Sequence, residues 1–362
     1  MRLIALYLPQ YHPIPENDQW WGMGFTEWTN VARAQPRFKG HYQPHLPADL
    51  GFYDLRLPEA RQAQAELAEG YGIYGFCYYH YWFNGRRVLQ RPFEEVLASG
   101  QPDFPFCLCW ANENWTRAWD GGDRHILLSQ DYTPEDDLAH IRSLLPALED
   151  RRYIRIKDRP LLLVYRTELL PDAARTAEIW REAARSAGIG EIYLARMESF
   201  ATGINPAEIG FDAAVEFAPD WRAVGRGKHH SRKGRVLGAL RLVDRGYGRN
   251  RVTEYGELVA RMLAKKEAAF TQFRCVTPGF DNSPRRAQDA VIFANSSPEA
   301  YRNWLAQVID RTRQRFSDPD EQIVFLNAWN EWGEGNHLEP DQKWGRAYLE
   351  ATQWALRHAA HE

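Results

Sequence analysis

Apolar segments rich in β-branched and aromatic residues recur along the whole chain, and segments with helical periodicity lie between them. Near-continuous apolar runs are typical of parallel strands that are buried on both faces. The eight predicted strands are residues 3–8, 72–79, 105–110, 160–165, 191–197, 211–217, 272–278 and 322–328. The predicted helices are residues 57–69, 92–98, 134–148, 171–187, 254–269, 298–316 and 344–359. Eightfold alternation of strand and helix predicts an α/β fold, a single (β/α)8 TIM barrel over residues 1–362.

An open, doubly wound sheet would show a similar alternation of strands and helices. Such a sheet often carries the pattern G-x-G-x-x-G after its first strand, and this pattern is absent here. The surplus length of the chain lies in three segments that follow strands, residues 9–49, 112–132 and 220–253. We therefore expect a barrel with long loops on its C-terminal face, where enzymes of this fold build their active sites.

The composition argues against several kinds of partner. A formal net charge of −3 over 362 residues gives no reason to expect nucleic acid or an anionic membrane as the main partner. No apolar run is long enough for a membrane span, and residues 1–9 lack a signal-peptide cleavage site, so we expect a cytoplasmic location. The cysteines Cys77, Cys107, Cys109 and Cys275 lie in strand-like runs and are expected to be buried free thiols.

Aromatic residues are abundant, with 14 Trp, 17 Tyr and 17 Phe. Many would fill a large core, but several stand beside amides and carboxylates at strand ends, in segments 78–82 and 110–115. Flat rings stack on the C–H faces of sugars while neighbouring polar groups bond to the hydroxyls. The pattern predicts a carbohydrate substrate, either a polysaccharide or an oligosaccharide.

The motif Asn-Glu-Trp-Gly-Glu-Gly at residues 330–335 directly follows the last predicted strand. Glu331 and Glu334 are three residues apart, so a tight turn or a first helical turn would place both on one face. Two carboxylates this close raise the pKa of one of them, which leaves one acid and one base for cleavage of a glycosidic bond. We predict that Glu331 and Glu334 are catalytic. The alternative is a helix N-terminus with two dipole-stabilising glutamates.

Other polar and aromatic residues follow the predicted strands, and we expect them to bind substrate. The predicted substrate-binding residues are Tyr7, Gln10, His12, Glu27, Trp28, His80, Tyr81, Trp82, Asn112, Glu113, Trp115, Tyr165, Glu198, Glu216, Asp281, Asn330 and Trp332. One such carboxylate could simply cap a helix, but carboxylates after five strands must be stabilised together. No spaced set of His and Asp residues indicates zinc, so we expect no metal and no cofactor.

Several motifs resemble a known family. They are residues 7–12, 20–28, 41–44, 75–82, 110–115 and 330–335. Together they resemble the WbsX-type family of glycosyltransferases from bacterial polysaccharide clusters, over nearly the whole chain. A narrower resemblance, based on the barrel and on the Asn-Glu-Trp-x-Glu-Gly motif, connects the chain to glycoside hydrolase family 99, the endo-α-mannosidases and endo-mannanases.

The resemblance to family 99 implies a retaining glycoside hydrolase. Glu331 would be the base that removes the proton of the sugar 2-hydroxyl, so that a 1,2-anhydro sugar forms in place of a glycosyl-enzyme. Glu334 would act first as the acid and then as the base. Gly333 departs from the family, which usually has His at this position, so the mannose-specific contacts are not carried over.

Two other functions remain open. One is a glycosyltransferase of O-antigen, capsular or lipopolysaccharide biosynthesis, and the other is a non-catalytic barrel that binds carbohydrate. The D-x-D motif at residues 318–320 is of the kind that transferases use to hold a metal and a nucleotide, but it precedes the last strand and so lies on the opposite face. The basic segment 222–251 is either a solvated loop or a lid that contacts an anionic glycan.

Overall fold

The computed structural model of the protein describes residues 1–117, 122–225, 227, 231–240, 242 and 244–359. Eight parallel strands pair in the order of the chain, and the first strand also pairs with the last, which closes the sheet into a barrel. The strands are β1 Arg2–Tyr7, β2 Gly75–Phe83, β3 Phe106–Trp110, β4 Arg159–Val164, β5 Tyr193–Glu198, β6 Ala213–Glu216, β7 Gln272–Val276 and β8 Ile323–Leu326. The predicted (β/α)8 TIM barrel is thus confirmed.

Eleven helices are present in the described part of the chain. They are α1 Pro15–Trp21, α2 Glu27–Arg33, α3 Pro58–Gly70, α4 Arg91–Ser99, α5 Pro134–Glu149, α6 Ala173–Ser186, α7 Arg232–Ala239, α8 Arg245–Arg249, α9 Tyr255–Leu263, α10 Pro298–Arg315 and α11 Ala347–His358. Seven of them, α3 to α6 and α9 to α11, lie where the sequence pattern predicts. Capping residues set two of the helix starts. The side chain of Thr133 accepts the N–H of Asp136 before α5, and that of Ser297 accepts the N–H of Ala300 before α10.

The strands are buried on both faces, as their apolar sequences predict. All nine residues of β2 are buried, and so are the five residues of β3. The four cysteines are buried free thiols, as predicted. Within the described part of the chain, no helix is both long enough and apolar enough to cross a bilayer.

The loops on the C-terminal face contain more regular structure than the sequence pattern predicts. Segment 9–49 forms α1 and α2, and strand Trp115–Arg117 pairs in antiparallel fashion with Gly122–Leu128 after β3. The basic segment 222–251 contains α7 and α8, two helices that the sequence pattern does not predict, and its role as a solvated loop or as a lid stays a prediction. Its residues 226, 228–230, 241 and 243 lie outside the described residues.

A small parallel sheet outside the barrel was not predicted. Strand Arg251–Glu254 pairs with Val291–Ala294, and each has only four residues. Such short strands carry too little alternation to be recognised from sequence. The connection after β5 is short and has room for about two helical turns. In the structure it forms one turn of 3₁₀ helix, Pro206–Ile209.

Candidate active site

The chain forms a short hairpin directly after β8. Strand Asn330–Glu331 pairs in antiparallel fashion with Asn336–His337, and the 3₁₀ turn Trp332–Glu334 connects them. Gly335 has φ 54°, a left-handed conformation that favours glycine and lets the chain return. We call residues 330–337 the 330–337 hairpin. It carries both predicted catalytic glutamates on one turn.

A single arginine binds three carboxylates at this hairpin. Arg285, in the loop after β7, donates from Nη2 to Glu331 Oε2 at 2.9 Å and from Nη1 to Glu334 Oε1 at 2.8 Å. Its Nε and Nη2 atoms also donate to Oε1 and Oε2 of Glu27, at 3.0 and 2.9 Å. Glu27 is the first residue of α2 and is completely buried. One guanidinium therefore holds together loops that follow the first, seventh and last strands.

The two hairpin glutamates have raised pKa values. Burial raises the pKa of Glu331 to about 8, while Arg285 opposes this rise and the charges of Glu334 and Glu27 reinforce it. The pKa of Glu334 is also raised, mainly by burial, again against the effect of Arg285. The Glu331 side chain is 10% exposed and that of Glu334 is 26% exposed. The pair therefore holds a proton near neutral pH, and Glu334 is the more accessible of the two.

A cavity of about 310 Å³ opens in front of the pair. Seven residues predicted for the site line it, namely Gln10, Tyr81, Glu113, Trp115, Tyr165, Glu331 and Glu334. The sequence analysis did not include several further lining residues, among them Asn17, Trp20, Trp21, Tyr79, Asn114, Phe217, Arg285 and Asn327. Contact of these side chains with a substrate remains a prediction.

Aromatic rings form one wall of this cavity. The ring of Trp115 packs edge-on against Trp20, Tyr81 and Phe83, at centroid distances of 6.0, 5.2 and 5.9 Å. Asn17 adds a polar group to the lining of this cavity. Its side chain is 1% exposed, and its amide atoms have no hydrogen-bond partner among the described residues. Rings beside an unpaired amide are suited to a sugar, which offers both C–H faces and hydroxyls.

Four of the predicted binding residues instead support the 330–337 hairpin on the side away from the cavity. They are Tyr7, Trp28, Asn330 and Trp332. Asn330 bonds to both backbone groups of Leu8, at 2.8 and 3.0 Å, and so attaches the hairpin to the end of β1. Trp332 packs against Trp28 and stacks on His337. Tyr7 donates to Gln64 at 2.7 Å. In the described part of the chain these side chains do not line the cavity. They pack against one another, or form hydrogen bonds with the backbone and with Gln64, beneath the hairpin.

A buried carboxylate that the sequence analysis missed completes this support. Glu339 accepts hydrogen bonds from Trp332 Nε1 at 2.6 Å, Tyr53 Oη at 2.8 Å and Gln64 Nε2 at 2.6 Å. Burial raises its pKa to about 7 against the effect of these donors. In the sequence, only the position of Glu339 shortly after the motif at residues 330–335 could have indicated a role at the site.

Two predicted residues of β2 face outwards and contact α5. His80 lies 3.0 Å from His140 between ring nitrogens, and Trp82 Nε1 donates to Asp136 at 2.9 Å. His80 and Trp82 lie away from the cavity because successive residues of a strand point to opposite faces. Asn112, in the loop after β3, instead bonds to the backbone N–H and C=O of Arg166 in the loop after β4.

Three of the remaining predicted residues are paired elsewhere in the barrel, and the fourth, His12, is buried. Glu198 accepts from Gln272 at 2.6 Å, and Glu216 forms ion pairs with Lys265 and Arg274. Asp281 accepts from Gln43 at 2.6 Å and contacts His41. Burial lowers the pKa of His12 to about 4, so its ring is neutral. Buried charges need such partners, which explains carboxylates at strand ends that do not reach the cavity.

Gly333 cannot carry a side chain in this arrangement. A Cβ atom at this position would lie 2.3 Å from Glu27 Oε1 and 2.7 Å from Arg285 Nε. Both atoms are fixed by their mutual ion pair, so they cannot move aside without breaking it. The Glu27–Arg285 pair thus occupies the space that a larger residue at position 333 would need.

We expect Gly333→Ala to lower the free energy of unfolding by about 1–3 kcal/mol, because it overpacks a fixed ion pair. Thermal and urea denaturation measure this change. Gly256→Ala is the matched control, since no atom lies within 4 Å of its added Cβ. Equal stability of both variants would show that the Glu27–Arg285 pair can shift to make room for the added Cβ atom at little cost in free energy.

Comparison with known proteins gives related sequences and folds. The family model Glycosyltransferase WbsX matches residues 3–352. Two relatives, each named Uncharacterized protein WxcX, come from two strains of Xanthomonas campestris pv. campestris and are 46% identical over 357 residues. The match covers 99% of this chain and 50% of each relative. The chain thus spans about half the length of these relatives.

Solved structures share the fold. A glycoside hydrolase-like protein superposes with a TM-score of 0.59 and 15% identity, over 98% of this chain and 93% of that protein. The GH99 endo-alpha-mannosidase from Bacteroides thetaiotaomicron superposes with a TM-score of 0.56 and 12% identity, over 99% and 97%. Identities this low establish the shared fold alone. The match of the family model over nearly the whole chain shows that the protein belongs to the glycosyltransferase WbsX family.

Proposed function

We propose that this chain is an enzyme that acts on carbohydrate, and that it cleaves a glycosidic bond in a bacterial polysaccharide or oligosaccharide. The observation that carries the proposal is the pair Glu331 and Glu334, which one turn presents to an aromatic-walled cavity on the C-terminal face of the barrel. Acid–base cleavage of a glycosidic bond needs two carboxyl groups with different proton affinities. The raised pKa values of this pair supply a proton at neutral pH.

In the proposed reaction the two glutamates have different roles. Glu334 is the more exposed to the cavity, so it protonates the leaving oxygen. Glu331 removes the proton of the sugar 2-hydroxyl, whose oxygen then attacks the anomeric carbon as the leaving group departs. A carboxylate with a pKa of about 8 is a stronger base than an ordinary glutamate and suits this step. The single proton of the coupled pair must therefore reside on Glu334 when the substrate is bound, and Arg285 stabilises Glu331 as the carboxylate.

The resulting 1,2-anhydro sugar can be opened by either of two acceptors. Water gives hydrolysis, and a sugar hydroxyl gives transfer. Transfer is the second candidate function, because the family is named for glycosyltransferases. A transferase that uses a nucleotide sugar finds less support, since the Asp318 carboxylate of the D-x-D motif caps the turn Pro319–Glu321 by accepting the N–H of Asp320.

Product analysis tests the proposal. Wild-type protein and Glu334→Gln are incubated with bacterial polysaccharides that contain mannose, rhamnose or fucose. New reducing ends from wild type alone support hydrolysis, and longer products without new reducing ends support transfer. Thermal stabilisation by nucleotide sugars but not by oligosaccharides would favour the nucleotide-dependent transferase. Glycan binding without any product, unaffected by Glu331→Gln, would favour a non-catalytic barrel.

We expect kcat/KM to fall as the pH rises above about 8. The pKa of about 8 belongs to the coupled pair of Glu331 and Glu334. Above this pH the pair loses its last proton, which Glu334 must give to the leaving oxygen. The profile is measured with a substrate that product analysis has identified. A rate that stays constant well above this pH would mean that the pair does not supply the proton.

A further inference from the structure

The 330–337 hairpin separates the catalytic cavity from a second cavity. This second cavity has a volume of about 230 Å³, and Gly335 and His337 of the hairpin line it. Its other walls include Tyr42, from the motif at residues 41–44, the following residue His45, and Asp341. The proposed catalytic function uses none of these side chains.

Three potential metal ligands meet at the wall of the second cavity. His45 Nδ1 lies 2.9 Å from His337 Nε2, which lies 3.9 Å from Asp341 Oδ2. The three ligand atoms lie within 4.8 Å of one another. Ligands bound at about 2.1 Å to a tetrahedral zinc ion lie about 3.4 Å apart, so small movements would bring these atoms to coordination distance.

Neighbouring groups orient two of the three ligands. His337 Nδ1 lies 2.9 Å from the carbonyl oxygen of Glu339, which can only accept, so Nδ1 carries the proton and Nε2 presents its lone pair. Asp341 Oδ1 accepts the backbone N–H groups of Lys343 and Trp344, at 2.9 and 2.6 Å. This leaves Asp341 Oδ2 directed towards His337. Ligands of metal sites are commonly held by such outer hydrogen bonds.

We propose that His45, His337 and Asp341 bind one divalent transition-metal ion of the zinc type, with its fourth position open to the second cavity. Two imidazoles and one carboxylate suit such ions and not Mg²⁺ or Ca²⁺, which prefer oxygen ligands. The His45 ring must carry its proton on Nε2 when it binds the ion through Nδ1, which is a change of tautomer without a change of charge. The sequence predicted no metal because it contains no spaced set of His and Asp residues. His45 and His337 are 292 residues apart, so only the fold brings them together.

The proposed ion would act on the position of the catalytic pair and not on the bond that is cleaved. The His337 ring stacks on Trp332 at a centroid distance of 3.7 Å, and Trp332 stands between Glu331 and Glu334. His337 also pairs with Asn330 in the hairpin. An ion on His337 would therefore fix the hairpin from the side opposite the substrate.

Metal analysis of the purified full chain, after removal of any affinity tag, tests this site. We expect about one zinc-type ion per chain by mass spectrometry of the acid-digested protein. Treatment with a chelator should lower Tm, and added Zn²⁺ should restore it, whereas Mg²⁺ and Ca²⁺ should not. These measurements need no variant, so they remain decisive if a substitution impairs folding.

Variants then locate the ion. His45→Gln and Asp341→Asn should lose the bound ion and the response of Tm to Zn²⁺. His358→Gln is the control, because this exposed side chain on α11 belongs to no such cluster among the described residues. Wild-type protein that lacks metal and shows no Tm change with Zn²⁺ would overturn the proposal. Unchanged metal content in both ligand variants would do so as well. The test is independent of any glycan substrate.

Discussion

Glu334→Gln is expected to lower kcat by at least about 100-fold while substrate affinity changes little, because glutamine keeps the shape but has no proton to give to the leaving oxygen. Turnover and equilibrium binding are measured with the same glycan. A substrate with a good leaving group, such as an aryl glycoside, needs little protonation. Glu334→Gln should therefore release the aryl group in its first turnover at much of the wild-type rate, whereas Glu331→Gln should not.

Glu182→Gln provides the matched control for this experiment. Glu182 is a glutamate of α6 that pairs with Arg185 at the surface, and its side chain is 69% exposed. Its loss should leave kcat unchanged. If Glu334→Gln turned over glycan at nearly the wild-type rate, Glu334 would not be the acid. If Glu331→Gln were the variant that releases the aryl group at this rate, the two roles would be reversed.

Arg285→Met is expected to destabilise the protein by about 3–5 kcal/mol near pH 8, because it leaves the carboxylates of Glu27, Glu331 and Glu334 buried without their shared cation. Arg285 lowers the pKa values of Glu331 and Glu334, so its loss would raise both further above their values in the unfolded chain. A raised carboxyl pKa stabilises the fold at low pH and loses this effect as the pH rises through the folded pKa. The Tm deficit of the variant should therefore grow from pH 5 to pH 8.

Two further variants sharpen the result. Arg346→Met removes a cation that is half exposed and pairs with Asp49, so its Tm should change little at either pH. Glu27→Gln combined with Arg285→Met removes one buried charge and should recover part of the lost stability. A deficit for Arg285→Met that is equal at both pH values would show that the arginine contributes by packing and not by charge.

The fold could be predicted from sequence because its signal is local and repeated. Each barrel strand is a short apolar run, and both faces of the strand are buried, so the run needs no knowledge of its neighbours to be recognised. The two helices of segment 9–49 were missed for the opposite reason. α1 and α2 have seven residues each, too few for helical periodicity to appear.

The binding residues were harder to predict because a strand end does not reveal the direction of a side chain. On β2 the sequence analysis chose His80, Tyr81 and Trp82. In the structure Tyr79 and Tyr81 line the cavity, while His80 and Trp82 point outwards to α5. The period of two residues in a strand forces this division, and only the tertiary structure shows which half faces the cavity.

Arg285 follows the seventh strand but was not among the predicted site residues. Its importance lies in three carboxylates whose positions are 258, 46 and 49 residues away in the chain. Several carboxylates that are buried close together at one end of a barrel need a cation nearby. This requirement could have identified Arg285 from the sequence.

The bonds between Asn330 and Leu8 have a consequence for the order in which the protein becomes active. They join residues 322 positions apart, next to the seam where β1 meets β8. Glu27 is synthesised early, yet its cation and the two hairpin glutamates emerge only after most of the chain. A nascent chain that lacks its eighth strand thus also lacks both hairpin glutamates and part of the cavity wall. The proposed activity would therefore begin only when ring closure is finished.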